Sequence, residues 1–82
     1  MKRIIWTERA KSDIRKLDKI TAMRVFAALH RFARTGDGDV KALQGREELR
    51  LRIADYRLFF VLTTEDAIEI RRVLHRSEAY RQ

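Results

Sequence analysis

Apolar and polar positions follow a helical period before Gly36 and a mostly two-residue period after it. The first apolar group, Ile4, Ile5 and Trp6, predicts a short strand. Thr7 suits the N-cap of a following helix, and Glu8 is well placed against the helix dipole. In that helix Ala10, Ile14 and Leu17 recur at i, i+4 and i+7, while Arg9, Lys11, Asp13, Arg15 and Lys16 fill the other face, and it ends near Asp18. A longer helix is expected from about Ile20 to Arg34, with Ala22, Val25, Phe26, Leu29, Phe32 and Ala33 on one side. Gly36 fits the left-handed position that stops it, and Gly36-Asp37-Gly38-Asp39 reads as a loop.

In Leu49-Arg50-Leu51-Arg52-Ile53 apolar residues alternate with arginines, the pattern of a half-buried strand with Leu49, Leu51 and Ile53 inward and Arg50 and Arg52 outward. A tight connection through Ala54-Asp55 leads to a central strand, Tyr56 to Leu62, whose Leu58 to Leu62 run is unbroken. Thr63 to Asp66 predicts a hairpin turn and Ala67 to Leu74 a further strand, in which Arg71-Arg72 interrupt the alternation as a bulge or exposed end would. The expected architecture is α+β, one domain over residues 1–82: two helices on one face of a mainly antiparallel sheet, the other face open.

Composition adds a partner and removes several chemistries. The 19 Lys+Arg against 12 Asp+Glu give a net charge of +7, and 14 of the 19 are arginines, whose planar forks suit phosphate. A polyanion is the expected partner. Without cysteine and with two histidines there is no disulfide, no cysteine nucleophile and no structural zinc cluster, so no cofactor or metal is expected. The apolar run at the N-terminus is too short for a signal or a membrane span, which reads as cytoplasmic. A domain of 82 residues buries only about 60% of its unfolded surface, so modest stability is expected.

Metal-free RNA cleavage needs a base for the 2′-hydroxyl, charge to stabilise the phosphorane and an acid for the leaving oxygen. Arginines serve the second task. Arg50 and Arg52 on one strand, Arg57 at the start of its neighbour and Arg76 after the third are expected to share one face.

The segment Leu49 to Arg57 resembles the central strand pair of the RelE/ParE toxin superfamily, in which a basic strand leads into a Gly-Asp-Tyr-Arg turn; Ala54 stands at the glycine. The ending Val73-Leu74-His75-Arg76-Ser77-Glu78-Ala79-Tyr80-Arg81 is similar to the family's Val-Gly-His-Arg-x-x-Val-Tyr pattern, with Leu74 at the second glycine. The likeness spans essentially the whole chain and implies a βααβββ-like fold and a toxin of a type II toxin–antitoxin pair, acting on mRNA in the ribosome in the RelE branch.

Transferred by position, Arg50 and Arg52 take the place of a basic pair that tends to be lysine in RelE, Arg57 and Arg76 match phosphate-stabilising arginines, and Tyr80 matches the C-terminal tyrosine. Arginine hardly deprotonates, so the base must lie elsewhere. Glu47 or Glu48 with His75 as acid is one arrangement that some relatives use. The implied partners are a cognate antitoxin, a heterotetramer with it being one arrangement, together with the ribosome and mRNA. Two other classes compete: a ParE-like inhibitor of DNA gyrase without nuclease activity, and a plain nucleic-acid-binding module, against which stands the absence of a basic recognition helix.

Overall fold

The computed structural model describes residues 2–79. Strand β1 (Arg3–Trp6) leads into helix α1 (Glu8–Arg15). The Thr7 hydroxyl accepts from the Ala10 N–H at 3.2 Å and donates to the Ile70 carbonyl at 2.7 Å, so one side chain caps the helix and fastens it to the sheet. Helix α2 (Lys19–Thr35) is capped by Asp18, which accepts from the backbone N–H and hydroxyl of Thr21, and stops at Gly36 (φ 78°), whose N–H donates to the Phe32 carbonyl.

The second half supplies β2 (Asp39–Ala42), β3 (Leu49–Ile53), β4 (Tyr56–Leu62), β5 (Ala67–His75) and the short helix α3 (Arg76–Ala79). The sheet order is β1-β5-β4-β3-β2, antiparallel except for β1 against β5. The α+β class and the mainly antiparallel sheet agree with the sequence pattern. The number of strands does not. Asp39, expected in a loop, begins β2, which pairs with β3 from Asp39↔Arg52 to Ala42↔Leu49. This edge strand has four residues and only Val40 is not fully exposed, so it offers no apolar alternation to read.

The interruption at Arg71-Arg72 is a β-bulge: Phe59 pairs with Arg72 and Phe60 with Ile70, leaving Arg71 as the extra residue. The bulge keeps Ile68, Ile70 and Val73 in one core despite their odd spacing. That core packs Ala10, Val25, Leu29 and Ala33 of the helices on Leu51, Ile53, Leu58, Phe60, Ile68, Ile70 and Val73 of the sheet. Phe26, expected to face inward, is 44% exposed and meets Trp6 edge-on.

The other sheet face is not left open along its whole length, a second correction. Phe59, Leu74 and Ala79 form a small apolar cluster with Leu43 packed on it, so the 43–48 connection and α3 cover part of that face. In the unbroken run Leu58 to Leu62 the first four residues are buried, the sequence trace of this two-sided burial, and Leu62 is exposed.

Candidate functional site

Strand alternation puts Arg50 and Arg52 of β3 and Arg57 and Phe59 of β4 on the face away from α2. Arg52 stands directly opposite Arg57, and Arg50 opposite Phe59. Like charges so paired repel, and each guanidinium has a local partner. Arg52 Nη1 lies 3.8 Å from Asp39 Oδ2 on β2. Arg57 Nη1 donates to the carbonyls of Ala54 (3.1 Å) and Tyr56 (3.0 Å). Arg57 is half-buried, and its Nε has no hydrogen-bond partner among the described residues.

Arg76 joins this group at the β3–β4 turn. Its backbone N–H donates to the Asp55 carbonyl at 2.7 Å, and its Nε lies 3.8 Å from Asp55 Oδ1. The Ala54-Asp55 turn thus gathers Arg57 from the start of β4 and Arg76 from the start of α3. Ala54 adopts φ 52°, a left-handed conformation in which glycine is less strained.

Glu48, one residue before β3, shares the Arg50 face and sits 3.4 Å from Arg46 Nη1. His75 does not join it. Its register partner is Tyr56, on the helix-covered face, and the two rings meet edge-on at 5.3 Å. His75 Nδ1 accepts from the Ser77 N–H at 3.1 Å and lies 2.8 Å from the Ser77 hydroxyl, which ties the ring to the first turn of α3. Glu48 and His75 line different depressions, so the structure does not assemble the carboxylate–imidazole couple expected from sequence. Tyr80 lies outside the described residues.

Sequence reasoning placed Asp13 among solvated residues and gave Arg72 no partner. In the structure Asp13 Oδ2 accepts from Arg72 Nε (2.8 Å) and the Val73 N–H (2.9 Å), and Oδ1 from Arg72 Nη2 (3.1 Å). Asp13 is only 6% exposed. The hydrogen bond to Asp13, outweighing the penalty of burial, holds the Arg72 guanidinium above its already high ordinary value. The signal was present: 10, 13, 14 and 17 follow i, i+3, i+4, i+7, so Asp13 interrupts an apolar stripe.

Where β1 ends, α1 takes over the edge of β5, and Asp13 supplies the acceptor that a further strand residue would have given Val73. Beside this pair, between the start of α1 and the 43–48 connection, lies a depression of about 430 Å³ floored by Phe59 and Leu74. Among the described residues no helix is long and apolar enough to cross a membrane.

This arrangement has relatives. The RelB–RelE antitoxin–toxin complex of Methanococcus jannaschii matches at a TM-score of 0.77 and 21% identity, over 93% of this chain and 94% of that one. The archaeal RelE–RelB complex of Pyrococcus horikoshii gives 0.72 and 22%, over 95% and 98%. The intact RelBE toxin–antitoxin complex of E. coli gives 0.69 and 20%, over 89% and 94%. At these identities the likeness establishes the fold. A search of curated proteins gives no match. The profile of the family described as "ParE toxin of type II toxin-antitoxin system, parDE" matches residues 4–80, nearly the whole chain, and the protein therefore belongs to this family of RelE/ParE toxins.

Proposed function

We propose that this toxin is a ribosome-dependent endoribonuclease that cuts messenger RNA without a metal. The observation that supports the reading most is the facing pair Arg52 and Arg57, with Arg50 beside it and Arg76 at the adjoining turn. A guanidinium group already aimed by its surroundings stabilises charge developing on a phosphorane without reorganising. The nearby carboxylates Asp39 and Asp55 bear on Arg52 and Arg76 at 3.8 Å, loose contacts that an RNA phosphate displaces.

In this reading the 2′-oxygen attacks phosphorus and the bond to the 5′-oxygen breaks, leaving a cyclic phosphate and a 5′-hydroxyl. Glu48, on the arginine face, takes the 2′-hydroxyl proton. Tyr80, next in the chain after Ala79, gives a proton to the departing oxygen. His75 takes no part in the chemistry and instead holds the start of α3. The partners are the ribosome and mRNA in the cytoplasm and a cognate antitoxin, as in the toxin–antitoxin complexes that share the fold. An acidic antitoxin segment is drawn to the basic face by the net charge of +7.

A second reading, a protein-binding inhibitor of DNA gyrase, is favoured by the inward turn of Arg57, whose Nη1 is spent on two backbone carbonyls. The test is reconstituted translation with purified toxin and mapping of mRNA ends. Cuts within translated codons, lost on Arg57→Ala, support the nuclease. Intact mRNA at inhibitory toxin concentrations overturns it.

A further inference from the structure

The depression of about 430 Å³ adjoins the arginine row and shares with the proposed active site one residue, Glu48. Phe59, on its floor, is the cross-strand partner of Arg50, so the depression begins where the row ends. The floor is apolar, formed by Phe59, Leu74 and Ala79. The rim is charged, with Arg9 from α1, Arg46 from the 43–48 connection and Arg71 from the bulge. The volume lies within the range of small-ligand sites, roughly 300–1,000 Å³.

We propose that this depression is a nucleotide subsite: it takes the base and phosphate of an RNA nucleotide flanking the scissile one, an inference that rests on the nuclease reading. Three features of the lining support this occupant. First, Arg71 commits its Nε to Glu69 at 2.7 Å, which steadies the guanidinium, and among the described residues no hydrogen bond or ion pair engages its terminal nitrogens. Arg46 likewise commits only Nη1, to Glu48 at 3.4 Å. Planar guanidinium groups held in this way stack on a base and fork onto a phosphate.

Second, the bulge itself explains why Arg71 is there. In a regular ladder Arg71 and Arg72 would point to opposite faces; the extra residue lets both border the same depression. Arg72 is neutralised by Asp13 and supplies a fixed wall, whereas Arg71 is 41% exposed. Third, the lining also holds Glu8 and Glu48. Carboxylates accept the N–H donors of a base, while Arg9, Arg46 and Arg71 outnumber them for its phosphate. A base seated on an apolar floor and a phosphate at the arginine rim therefore fit this lining.

The test uses the full chain and two rim variants, Arg46→Ala and Arg71→Ala, alone and combined; both side chains are about half exposed, so the fold is retained and circular dichroism checks it. Adenosine monophosphate, ribose phosphate and inorganic phosphate are titrated separately and followed by amide NMR. Adenosine monophosphate is expected to shift the amides of Phe59, Leu74 and Ala79, with binding about tenfold weaker in each single variant, the size of one lost stacking or ionic contact, and weaker again in the double variant. Ribose phosphate is expected to leave the floor amides in place.

The inference is overturned if adenosine monophosphate moves none of these amides, or if a leucine-ended acidic peptide moves them and the nucleotide does not. Failure of the nuclease reading looks different. Nucleotide binding at the floor with mRNA left uncut overturns the nuclease, and with it the place of the subsite beside a scissile bond. Cleavage with unaltered rate and position in the double variant, and no nucleotide shifts, overturns the subsite alone.

Discussion

Asp13 of α1 and Arg72 of β5, 59 residues apart in the chain, meet in a two-point ion pair whose carboxylate also accepts the Val73 N–H. Their side chains are 6% and 18% exposed. A pair this deep contributes little net stability relative to an apolar filling, but removing one member strands the other. Asp13→Ala is expected to cost about 3 kcal/mol in urea unfolding, because Arg72 and the Val73 N–H both lose their acceptor. The double change Asp13→Leu with Arg72→Met should recover much of that loss, and a double variant as unstable as Asp13→Ala would contradict this account.

The β3–β4 turn stores a small strain at Ala54 (φ 52°). Ala54→Gly relieves the left-handed penalty, offset in part by the entropy of an unfolded glycine, for a net gain below about 1 kcal/mol. Ala54→Val, branched at the same φ, is expected to lose about 1–2 kcal/mol. Because Arg57 and Arg76 both bond to this turn, the valine variant should also weaken RNA binding. Unfolding and RNA-binding titrations on the two variants check both effects.

Asp18 gives the protein an acid-sensitive helix start. Its carboxyl lies below the ordinary value of 3.8, first because the Thr21 hydroxyl and then because the Thr21 N–H bonds to the charged form. A lowered folded pKa means that the contribution is full above the unfolded value and is lost as pH falls through the folded one. Melting temperatures in the acid range should therefore fall less steeply for Asp18→Asn, which retains an N-cap acceptor without the titration. Equal slopes would remove the cap from the pH response.

Much of the fold is legible in the sequence because burial on one face writes a period. The alternation Leu49-Arg50-Leu51-Arg52-Ile53 predicts both the strand and the outward arginines, and Arg52 and Arg57 do face each other. Thr7 and Gly36 are found at the expected helix ends. What escaped depends on tertiary partners. Strand β2 is too short and exposed to show a period. Asp13 is polar yet buried, and only its register on the stripe betrays it. His75 falls on the face away from the arginines because of the extra residue at Arg71; the broken alternation there fits a bulge or an exposed end, and only the strand pairing chooses between them.

That placement of His75 yields its own expectation. His75→Gln should leave mRNA cleavage within about twofold of wild type at neutral pH, well short of the 100-fold or greater loss expected when a proton-transfer group is removed. The α3 start, which depends on the Ser77 contacts to Nδ1, should become less protected in amide exchange. A cleavage loss of 100-fold or more with α3 unchanged would restore His75 to the chemistry.

The open-face arginines carry the central claim. In the proposed nuclease each meets a phosphate, so Arg52→Ala should reduce the slope of log affinity against log salt for single-stranded RNA by about 0.7. Arg57→Ala should lower cleavage by about 100-fold or more, the cost of losing one aligned donor to the transition state.

The most direct measurement is induced expression in a bacterial host of the wild-type chain beside Arg57→Ala, following protein synthesis, mRNA 5′-ends and DNA breaks together. Prompt arrest of translation with new cuts in translated mRNA, abolished by the substitution and without DNA breaks, is the predicted result. DNA breaks and halted replication with intact mRNA would contradict the nuclease and assign the arginine face to binding a protein target.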